Sequence, residues 1–588
     1  MRVRVEPGAE SSARGLAHSA RIWCLVAMES ARPLAVARHR GLLARTLLVS
    51  ALTLLSRLLG FAREALMAAV FGDRSVISDA FITAWRVPNL FRRLLGEGAL
   101  SVSLQSAMTR ADLERGDAAG RALFRATLRA TARILVPSCT LAMLVVLVLP
   151  DTMPFTGWTW LGPAPAAVRE LTVRVLPYVV LVCLAALCGG ALAVRGHFAL
   201  PNLAPSAMNL IWIATLLAIG LASDWGRALG ATSEAVVARQ WELARWLAWG
   251  LLLGGFVQLL VHVPPLGRCG LMGAVGPDQS GKYQRADPWQ VLRATAPLAL
   301  GAAIYQINVM VDGLMANALL RPGGSSVLYY ANRFQQFPMA LIATAAVNSV
   351  FPLLNAHGHL GERAALRTLH DRTQLAMLFL ALPAAAGMFA LALPIASVCY
   401  EHGNFGLDGT LRTAAALRCL AFALVPAGAA ALASRVFVAL GDLRTPVRIA
   451  GWILLLNVAL NTLGVVALGL DVAGLTLATA LVSWVNFAWL VHGMRTRLEL
   501  PRAARDLGPR ILKIAAASCA CALVGWLVQR ATAAALDAPE PRRSIPSLLV
   551  AIAAAGASYA VLARVLAIPE GDEILRRVRA RLGTDRSG

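Results

Sequence analysis

The first two long apolar stretches of the chain carry several charged residues deep inside them. Arg57 and Arg63 lie in the first stretch, and the second contains Arg86, Arg92, Arg93 and Glu97. A charge near the centre of a membrane-spanning helix costs about 2.5–3.5 kcal/mol on translocon-insertion scales, so such residues are expected to face an anionic ligand or a water-filled cavity. The pattern predicts a membrane transporter with a positively charged central cavity.

These arginines also allow a simpler interpretation, in which they lie near helix ends and extend to the membrane surface without a ligand. That interpretation fits the second stretch better, since its helix could begin late. Apolar residues flank Arg57 and Arg63 on both sides. Arg57 and Glu64 are seven residues apart and are expected to share a helix face, whereas Arg63 points elsewhere.

Spacing within the second stretch suggests how its charges could be used. Asp79 lies near the start of the predicted helix and could cap it. Arg93 and Glu97 are four residues apart and could pair across one turn. Pro88 removes a backbone donor, and the resulting bend is tolerated where a helix is buried or faces water.

The composition places the whole chain in a membrane. Of 588 residues, 58% are hydrophobic and 15% are charged, whereas soluble domains carry about 25% charged residues. Apolar runs of about 20 residues, long enough to cross about 30 Å of hydrocarbon, recur throughout. They predict an all-α polytopic protein with about fourteen transmembrane helices, at 43–70, 78–108, 126–150, 172–195, 202–222, 243–264, 289–318, 326–354, 374–399, 411–439, 446–469, 472–493, 510–530 and 546–568.

Charge and cysteine content limit the other functions. The net charge of +23 is dispersed over many loops, which argues against nucleic-acid binding and agrees with the positive-inside rule when both termini are cytoplasmic. The nine cysteines form no C-x-x-C pair, so neither a zinc site nor a disulfide framework is expected. No G-x-x-x-x-G-K-[ST] loop is present, which leaves the chain without an ATPase motif of its own.

Two short motifs recur at nearly the same offset and indicate a duplication. Gly196 to Pro201 is echoed by Gly441 to Pro446, 245 residues later, and Arg86 is echoed by Arg333, 247 residues later. Six-helix units return the chain to its starting side, so the two halves would be parallel repeats about an axis along the membrane normal.

The duplication divides the chain into predicted segments. Residues 1–41 are expected to be a basic cytoplasmic tail or, alternatively, an artefact of start-site assignment. They are followed by an N-lobe of helices one to six (42–264), a cytoplasmic linker (265–288), a C-lobe of helices seven to twelve (289–493), two extra helices (494–568) and a second basic tail (569–588).

Several of these motifs resemble one known family. The chain resembles the MurJ (MviN) family in three segments: Ser56 to Glu64, Ser78 to Phe81 and Pro88 to Ala99. The members of this family are the lipid II flippases of bacterial peptidoglycan synthesis, within the MOP exporter superfamily. Further matches are Tyr330 to Arg333, Phe337-Pro338, Pro201 to Asn209 and Asp442 to Pro446. The resemblance extends from about residue 42 to about residue 568.

The resemblance implies a V-shaped pair of six-helix lobes around a cationic cavity, with a groove for a lipid tail toward the last two helices. It implies substrate-binding roles for Arg57, Arg63, Arg92 and Arg333, with Asp79 and Glu97 also in matching positions; Glu64 and Arg93 complete the predicted site. Two departures are visible. Glu64 stands where the family often has Asp. Asn332 and Gln336 stand where some members have acids near the arginine that corresponds to Arg333.

A second polar group is predicted in the C-lobe. Asp312 lies deep in helix seven without a partner in its own helix, and Asn457 and Asn461 share a face of helix eleven. Some members of the family hold a cation in this lobe, so these three residues are candidate ligands. Buried amides that satisfy one another explain the asparagines equally well.

The expected activity is translocation of lipid II between leaflets by alternating access, driven by a monovalent cation or by the membrane potential. The expected location is the bacterial inner membrane, with lipid II and other cell-wall synthesis proteins as partners. The alternatives are a flippase for another polyprenyl-linked saccharide, a drug exporter of the same superfamily, a non-transporting scaffold or a membrane enzyme acting on polyprenyl phosphates. Scattered single histidines argue against the enzyme, and the excess of arginine argues against an exporter of organic cations.

Overall fold

The chain is α-helical wherever its structure is described. A computed structural model describes residues 35–150, 161–223, 233–273, 287–500, 507–536 and 543–572, and these residues contain no strand. Eleven of the helices are long and apolar enough to cross a membrane. Three further long helical stretches, at 35–71, 76–115 and 288–319, coincide with predicted spans one, two and seven. The predicted all-α polytopic fold is therefore confirmed, and the helices are consistent with fourteen spans.

In the first half of the chain, predicted spans two and four are each built from two helices in succession. The helices are α1 (Ala35–Phe71), α2 (Val76–Phe91), α3 (Leu100–Arg115), α4 (Asp117–Val148), α5 (Pro165–Val175), α6 (Tyr178–Val194), α7 (Ala199–Ala222), α8 (Ser233–Leu260) and the short α9 (Val263–Arg268). Helix α1 packs along α7, and α7 packs along α8.

The second half of the chain contains the remaining helices. Its helices are α10 (Pro288–Leu319), α11 (Gly324–Pro338), α12 (Ala345–His359), α13 (Arg363–Ala390), α14 (Ala392–Tyr400), α15 (Leu407–Ala439), α16 (Arg444–Thr462), α17 (Asp471–Thr496), α18 (Leu507–Ala535) and α19 (Ile545–Val565). Helices α15 and α17 pack together, while α18 and α19 pack on each other and on α13.

Successive spans alternate in direction, which defines two faces of the molecule. The upper face is the one that holds the loop 72–75 between α1 and α2, and the lower face is the opposite one. The start of α1 and the end of α19 both lie on the lower face. The predicted tail 1–41 and linker 265–288 fall largely outside the described residues, although α1 already includes 35–41, and most of the tail 569–588 is outside them as well.

The duplicated motif forms the same turn in both halves. Gly196 and Gly441 have φ values of 80° and 79°, in the left-handed region that glycine tolerates. The amide after each glycine donates to a carbonyl five residues earlier, from His197 to Leu192 and from Asp442 to Phe437, both at 2.9 Å. This is the Schellman geometry that ends a helix. The two halves therefore share local structure where the sequence predicts a repeat.

Two of the spans widen into a π-helical turn near their middle, and a third does so at its end. These turns cover Arg92–Ala99 after α2, Met339–Thr344 after α11 and Leu463–Ala467 after α16. The first two follow Pro88 and Pro338, which lack the backbone donor of a regular helix. π-turns within α-helices are often found at functional sites, and the first of these carries Arg92 and Arg93.

The two halves are joined at the upper face by carboxylates that accept backbone amides. The Asp79 carboxylate accepts hydrogen bonds from the amides of Gly323 (2.7 Å) and Ser326 (2.8 Å), at the start of α11. The Asp73 carboxylate accepts from the amides of Gly406 (3.2 Å) and Gly409 (2.7 Å), at the start of α15. A helix N-terminus has free amide donors that favour a negative charge.

Asp79 therefore does not cap its own helix, as the sequence suggested. The cap of α2 is Ser75, whose hydroxyl accepts from the Ser78 amide at 3.0 Å. Asp79 lies a full turn inside α2 and is 3% exposed. Its carboxylate thus reaches the amides of the other half.

Replacing Gly323 by Ala is expected to weaken this contact. Gly323 has φ +84°, and a Cβ there would overlap the carbonyl oxygen of Asp73. Gly361 has φ +70° with open space around it, so Gly361→Ala carries the backbone cost alone, about 1–2 kcal/mol. The midpoint of thermal unfolding in detergent should fall further for Gly323→Ala than for Gly361→Ala. Equal losses would show that the contact contributes nothing to stability.

Candidate cationic site between the two halves

Arg63 of α1 is buried at the centre of the molecule and has polar partners on two other helices. Its guanidinium donates to the Asn209 side-chain oxygen (3.1 Å), to Glu64 (2.9 Å) and to the Tyr329 hydroxyl (3.3 Å). The Arg63 Cζ atom also lies 4.2 Å from the ring centroid of Trp212, a cation–π distance. Arg63 thus has polar or cation–π contacts on α7 and α11 as well as on its own helix.

Glu64 is the carboxylate that the two halves share. It is 2% exposed. One of its oxygens accepts from Arg63 and from the Tyr329 hydroxyl (3.2 Å). The other lies 3.2 Å from Nε of Arg333. Since a buried charge is costly without a partner, this one carboxylate allows two arginines from different halves to lie near each other.

Close approach of α1 and α11 depends on a small residue. A Cβ at position 60 would overlap a guanidinium nitrogen of Arg333. Gly60 therefore leaves the space in which the Arg333 side chain reaches Glu64, in agreement with the close approach that glycine permits. Above this contact, Phe61 and Phe334 pack edge to face with ring centroids 5.7 Å apart.

The second arginine pair lies on the π-turn after α2. Arg92 donates to the side-chain oxygen of Asn89, by Nε at 3.2 Å and by a terminal nitrogen at 2.8 Å. Arg93 donates to the side-chain oxygen of Gln336 on α11, at 3.1 Å. The side chain of Glu97 is outside the described residues, so its predicted pairing with Arg93 stays a prediction. The resemblance leads one to expect an acid at Gln336, and here its amide oxygen accepts from an arginine.

Arg57 lies apart from this group. Residues 51–59 of α1 are exposed or half-exposed on all sides, and Arg57 is among the exposed ones. The predicted shared face of Arg57 and Glu64 is therefore not a shared environment, because α1 leaves the packed helices between the two residues. The exposed side chains of this part of α1 include the apolar Leu54 and Leu58, so the packed part of α1 begins above Arg57.

Arg86 is buried in α2, above the π-turn, and contacts α10 and α11. It donates to the Ser325 hydroxyl at 3.2 Å, and its guanidinium occupies the space that a Cβ at Gly313 would fill. Asp79 is likewise engaged at the upper face. These two residues join the halves above the cluster formed by Arg63, Glu64 and Arg333.

The C-lobe polar group is assembled as the sequence suggested. Asn457 and Asn461 donate to one oxygen of Asp312, at 2.5 and 2.8 Å, and Asn308 donates to the other at 3.4 Å. Both asparagines of α16 are fully buried, and their side-chain oxygens accept no hydrogen bond from any residue that the structure describes. Among the described residues, no group of three or more His, Cys, Asp or Glu is placed to hold a metal.

Three residues of the central cluster were not assigned a role from the sequence. Asn209, Trp212 and Tyr329 contact Arg63 from positions 146 to 266 residues away. Tyr329 precedes Arg333 by four residues and so shares its helix face, which is the one signal that could have identified it. Asn209 lay inside a recognised motif, but nothing in its spacing indicated Arg63 as its partner.

The cluster can bind an anion that bridges the halves. Arg63 and Arg333 face the single carboxylate of Glu64. Arg92 and Arg93 add positive charge on the π-turn after α2. Guanidinium groups stay charged and bind carboxylate or phosphate oxygens in a bidentate manner. The chemistry that fits is recognition of a phosphate-bearing group.

Replacing Glu64 by Gln should expose this anion affinity. The variant leaves the buried Arg63 and the partly exposed Arg333 without their shared negative charge, so the unfolding midpoint in low-salt detergent should fall. Inorganic pyrophosphate should then raise the midpoint more in Glu64→Gln than in the native protein. Glu242→Gln, at a 54% exposed side chain paired with Arg239, is the control. Equal responses in the native protein and Glu64→Gln would contradict an anion site here.

Solved structures support the fold. A structure described as "Lipid II flippase MurJ, inward closed conformation" superposes with a TM-score of 0.65 at 21% identity, covering 88% of this chain and 98% of that one. An inward-facing multidrug resistance MATE family transporter of the MOP superfamily superposes with a TM-score of 0.56 at 16% identity, covering 78% and 99%. Both similarities concern the arrangement of helices.

Sequence comparison identifies the family. The family model described as "Lipid II flippase MurJ" matches residues 67–536. The lipid II flippase MurJ of Burkholderia cenocepacia is 29% identical over 456 residues, covering 77% of this chain and 83% of the relative. The probable lipid II flippase MurJ of Rhizobium meliloti is 30% identical over 540 residues, covering 88% and 92%. The chain, in which arginines of both halves meet at one carboxylate, belongs to the MurJ family of lipid II flippases.

Proposed function

We propose that this protein moves lipid II across the bacterial inner membrane as a transporter without a catalytic step of its own. The observation that carries the proposal is the convergence of Arg63 and Arg333, from different halves, on the single carboxylate of Glu64. Lipid II carries a pyrophosphate of about two negative charges between its polyprenyl chain and its saccharide. That group can replace Glu64 as the partner of both arginines.

The exposure of α1 below Arg63 supports loading of the site from the cytoplasm. With the positive-inside rule, both termini and hence the lower face are cytoplasmic. The site is covered above by the contacts of Asp73, Asp79 and Arg86, whereas residues 51–59 of α1, below Arg63, are exposed or half-exposed. The head group enters from the lower face and binds the arginines. Release outside then requires the upper contacts to separate as the two halves rock.

The membrane potential is a sufficient driving force for this direction. Moving one charge across 100 mV is worth about 2.3 kcal/mol, so two negative charges leaving a negative interior gain about 4.6 kcal/mol. The arginines stay with the protein and return without the substrate. Export of the pyrophosphate group is therefore favoured without nucleotide hydrolysis.

We also propose that Asp312, Asn457 and Asn461 hold a monovalent cation. An asparagine amide can rotate to exchange its oxygen and nitrogen, and the two unsatisfied amide oxygens would then join the carboxylate as ligands. One carboxylate balances one positive charge, which favours a monovalent over a divalent ion. Oxygen donors of this kind suit hard cations.

A flipping assay tests the main proposal. In proteoliposomes with an imposed potential, labelled lipid II should cross with native protein and fail to cross with Arg63→Ala or Arg333→Ala. Arg63→Lys and Arg333→Lys should retain only part of the rate, since an ammonium lacks the bidentate geometry. Arg239→Ala, at a 46% exposed side chain paired with Glu242, should behave as native.

Two measurements make this assay decisive. The unfolding midpoint of each variant shows whether it is folded, and binding of lipid II shows whether the head group is still recognised. Native-like flipping by folded Arg63→Ala and Arg333→Ala would overturn the role of the arginines. Flipping of a different polyprenyl-linked saccharide, with none of lipid II, would reassign the substrate.

The cation proposal has its own test. Exchanging choline chloride for sodium chloride at constant ionic strength should raise the unfolding midpoint of the native protein and leave that of Asp312→Asn unchanged. Asp408→Asn, at a half-exposed upper-face carboxylate, should respond as the native protein does. A sodium response that survives in Asp312→Asn would place the ion elsewhere.

A further inference from the structure

An apolar groove opens on the outer surface of the N-terminal half, away from the arginine cluster. Its volume is about 580 Å³, and it is lined by α4, the junction of α5 and α6, and α8. The lining includes Val136, Cys139, Pro177, Leu253 and Phe256. Its volume lies within the range of about 300–1,000 Å³ that is typical of ligand sites. Pro137 lies inside α4 and Pro177 divides α5 from α6, so helix irregularity accompanies the groove on two sides.

Below the groove, α4 carries four arginines at intervals of four residues. They are Arg121, Arg125, Arg129 and Arg133. Residues spaced by four remain on one slowly turning face of a helix, and that face continues upward into the groove residues Val136, Thr140 and Met143. Arg129 and Arg133 are exposed, and Arg125 donates to the Leu271 carbonyl at 2.9 Å. The ladder therefore leads from the lower face to the groove.

The upper two arginines of this ladder lie within one hydrocarbon thickness of the upper end of α4. Val148 ends α4 near the upper boundary. At a rise of 1.5 Å per residue, Arg133 is about 22 Å below Val148 and Arg129 about 28 Å below it, whereas the hydrocarbon is about 30 Å thick. Over the described residues, no carboxylate forms an ion pair with Arg129 or Arg133. The charges of Arg129 and Arg133 therefore have no protein counter-ion among the described residues. A charge without a counter-ion is costly inside the hydrocarbon of a membrane.

We propose that this groove and ladder bind one anionic glycerophospholipid of the lower leaflet. Its phosphate is held by Arg129 and Arg133, and one acyl chain follows the groove past Val136 and Leu253. The arginines extend toward the surface while the phosphate is drawn toward them, so that neither charge enters hydrocarbon alone. The site is separate from the central cluster, since no residue of α1, α2 or α11 lines it.

Native mass spectrometry of the full chain in neutral detergent tests the site. The probes are phosphatidylglycerol, which is anionic, and phosphatidylcholine, which has no net charge. We expect one phosphatidylglycerol to be retained at least about tenfold more tightly than phosphatidylcholine, as two arginines beside an anionic head group predict. The double variant Arg129→Gln/Arg133→Gln should lose this preference. Leu253→Trp, at a 53% exposed side chain, should fill the groove and weaken retention of both lipids.

Two matched controls separate the site from general charge and surface effects. Arg444→Gln/Arg448→Gln removes two arginines with the same spacing from the lower end of α16, and should leave the preference unchanged. Leu221→Trp, at a 73% exposed position of α7 outside the groove, should leave retention unchanged.

Three results would overturn the proposal. The first is equal retention of the two lipids by the native protein. The second is a native-like preference in the folded Arg129→Gln/Arg133→Gln variant. The third is displacement of phosphatidylglycerol by equimolar undecaprenyl pyrophosphate in the native protein and not in Leu253→Trp, which would assign the groove to the transported lipid.

Discussion

The buried charge of Glu64 organises the centre of this molecule. An arginine held away from water needs a counter-charge, and removing one partner of a buried ion pair typically costs 3–5 kcal/mol. Here one carboxylate serves Arg63 on its own helix and Arg333 on a helix of the other half. The surrounding structure follows from this arrangement. Gly60 leaves room for Arg333, Tyr329 donates to Glu64, and Asn209 and Trp212 hold the guanidinium of Arg63.

Sharing one carboxylate also links ligand binding to the position of the two halves. An anion that takes over Arg63 and Arg333 frees Glu64 and changes the only described ion pair between α1 and α11. Other contacts across the halves include the hydrogen bonds of Asp79 and Asp73, which lie toward the upper face. A ligand shifts a conformational equilibrium by its differential affinity for the two states. In this protein, the arginines are where that difference can arise.

Much of the fold could be predicted from the sequence because membrane spans leave strong signals. Long apolar runs gave the helices, and the repeated Gly196 and Gly441 turns gave the duplication. The cost of charge in a membrane identified Arg63, whereas Arg333 was identified by the internal repeat and by the resemblance to the family. Asp312 was found in the same way as Arg63, and its asparagine partners were suggested by their spacing on one face of a helix.

The remaining features depend on contacts between distant parts of the chain. Asp79 was expected to cap α2, but its partners begin 244 residues later, at Gly323. Arg57 and Glu64 share a helical face by spacing, yet packing ends between them, and spacing alone cannot show where a helix leaves its neighbours. Tyr329 and Asn209 are ordinary polar residues by type, and only the folded structure shows that they surround Arg63.

The π-turn at Arg92–Ala99 changes which residues of the second span share a helical face. Such a turn holds one residue more than a regular helical turn, and each residue of an α-helix advances about 100° around the axis. The residues before and after the turn therefore differ in rotational phase from those of an uninterrupted helix. In α2, Phe81 and Trp85 face the core, and in α3, Leu104 and Met108 do so as well. A helical wheel drawn continuously through both would misplace one set, and the loss of a single residue between them would turn the buried face of α3 toward lipid.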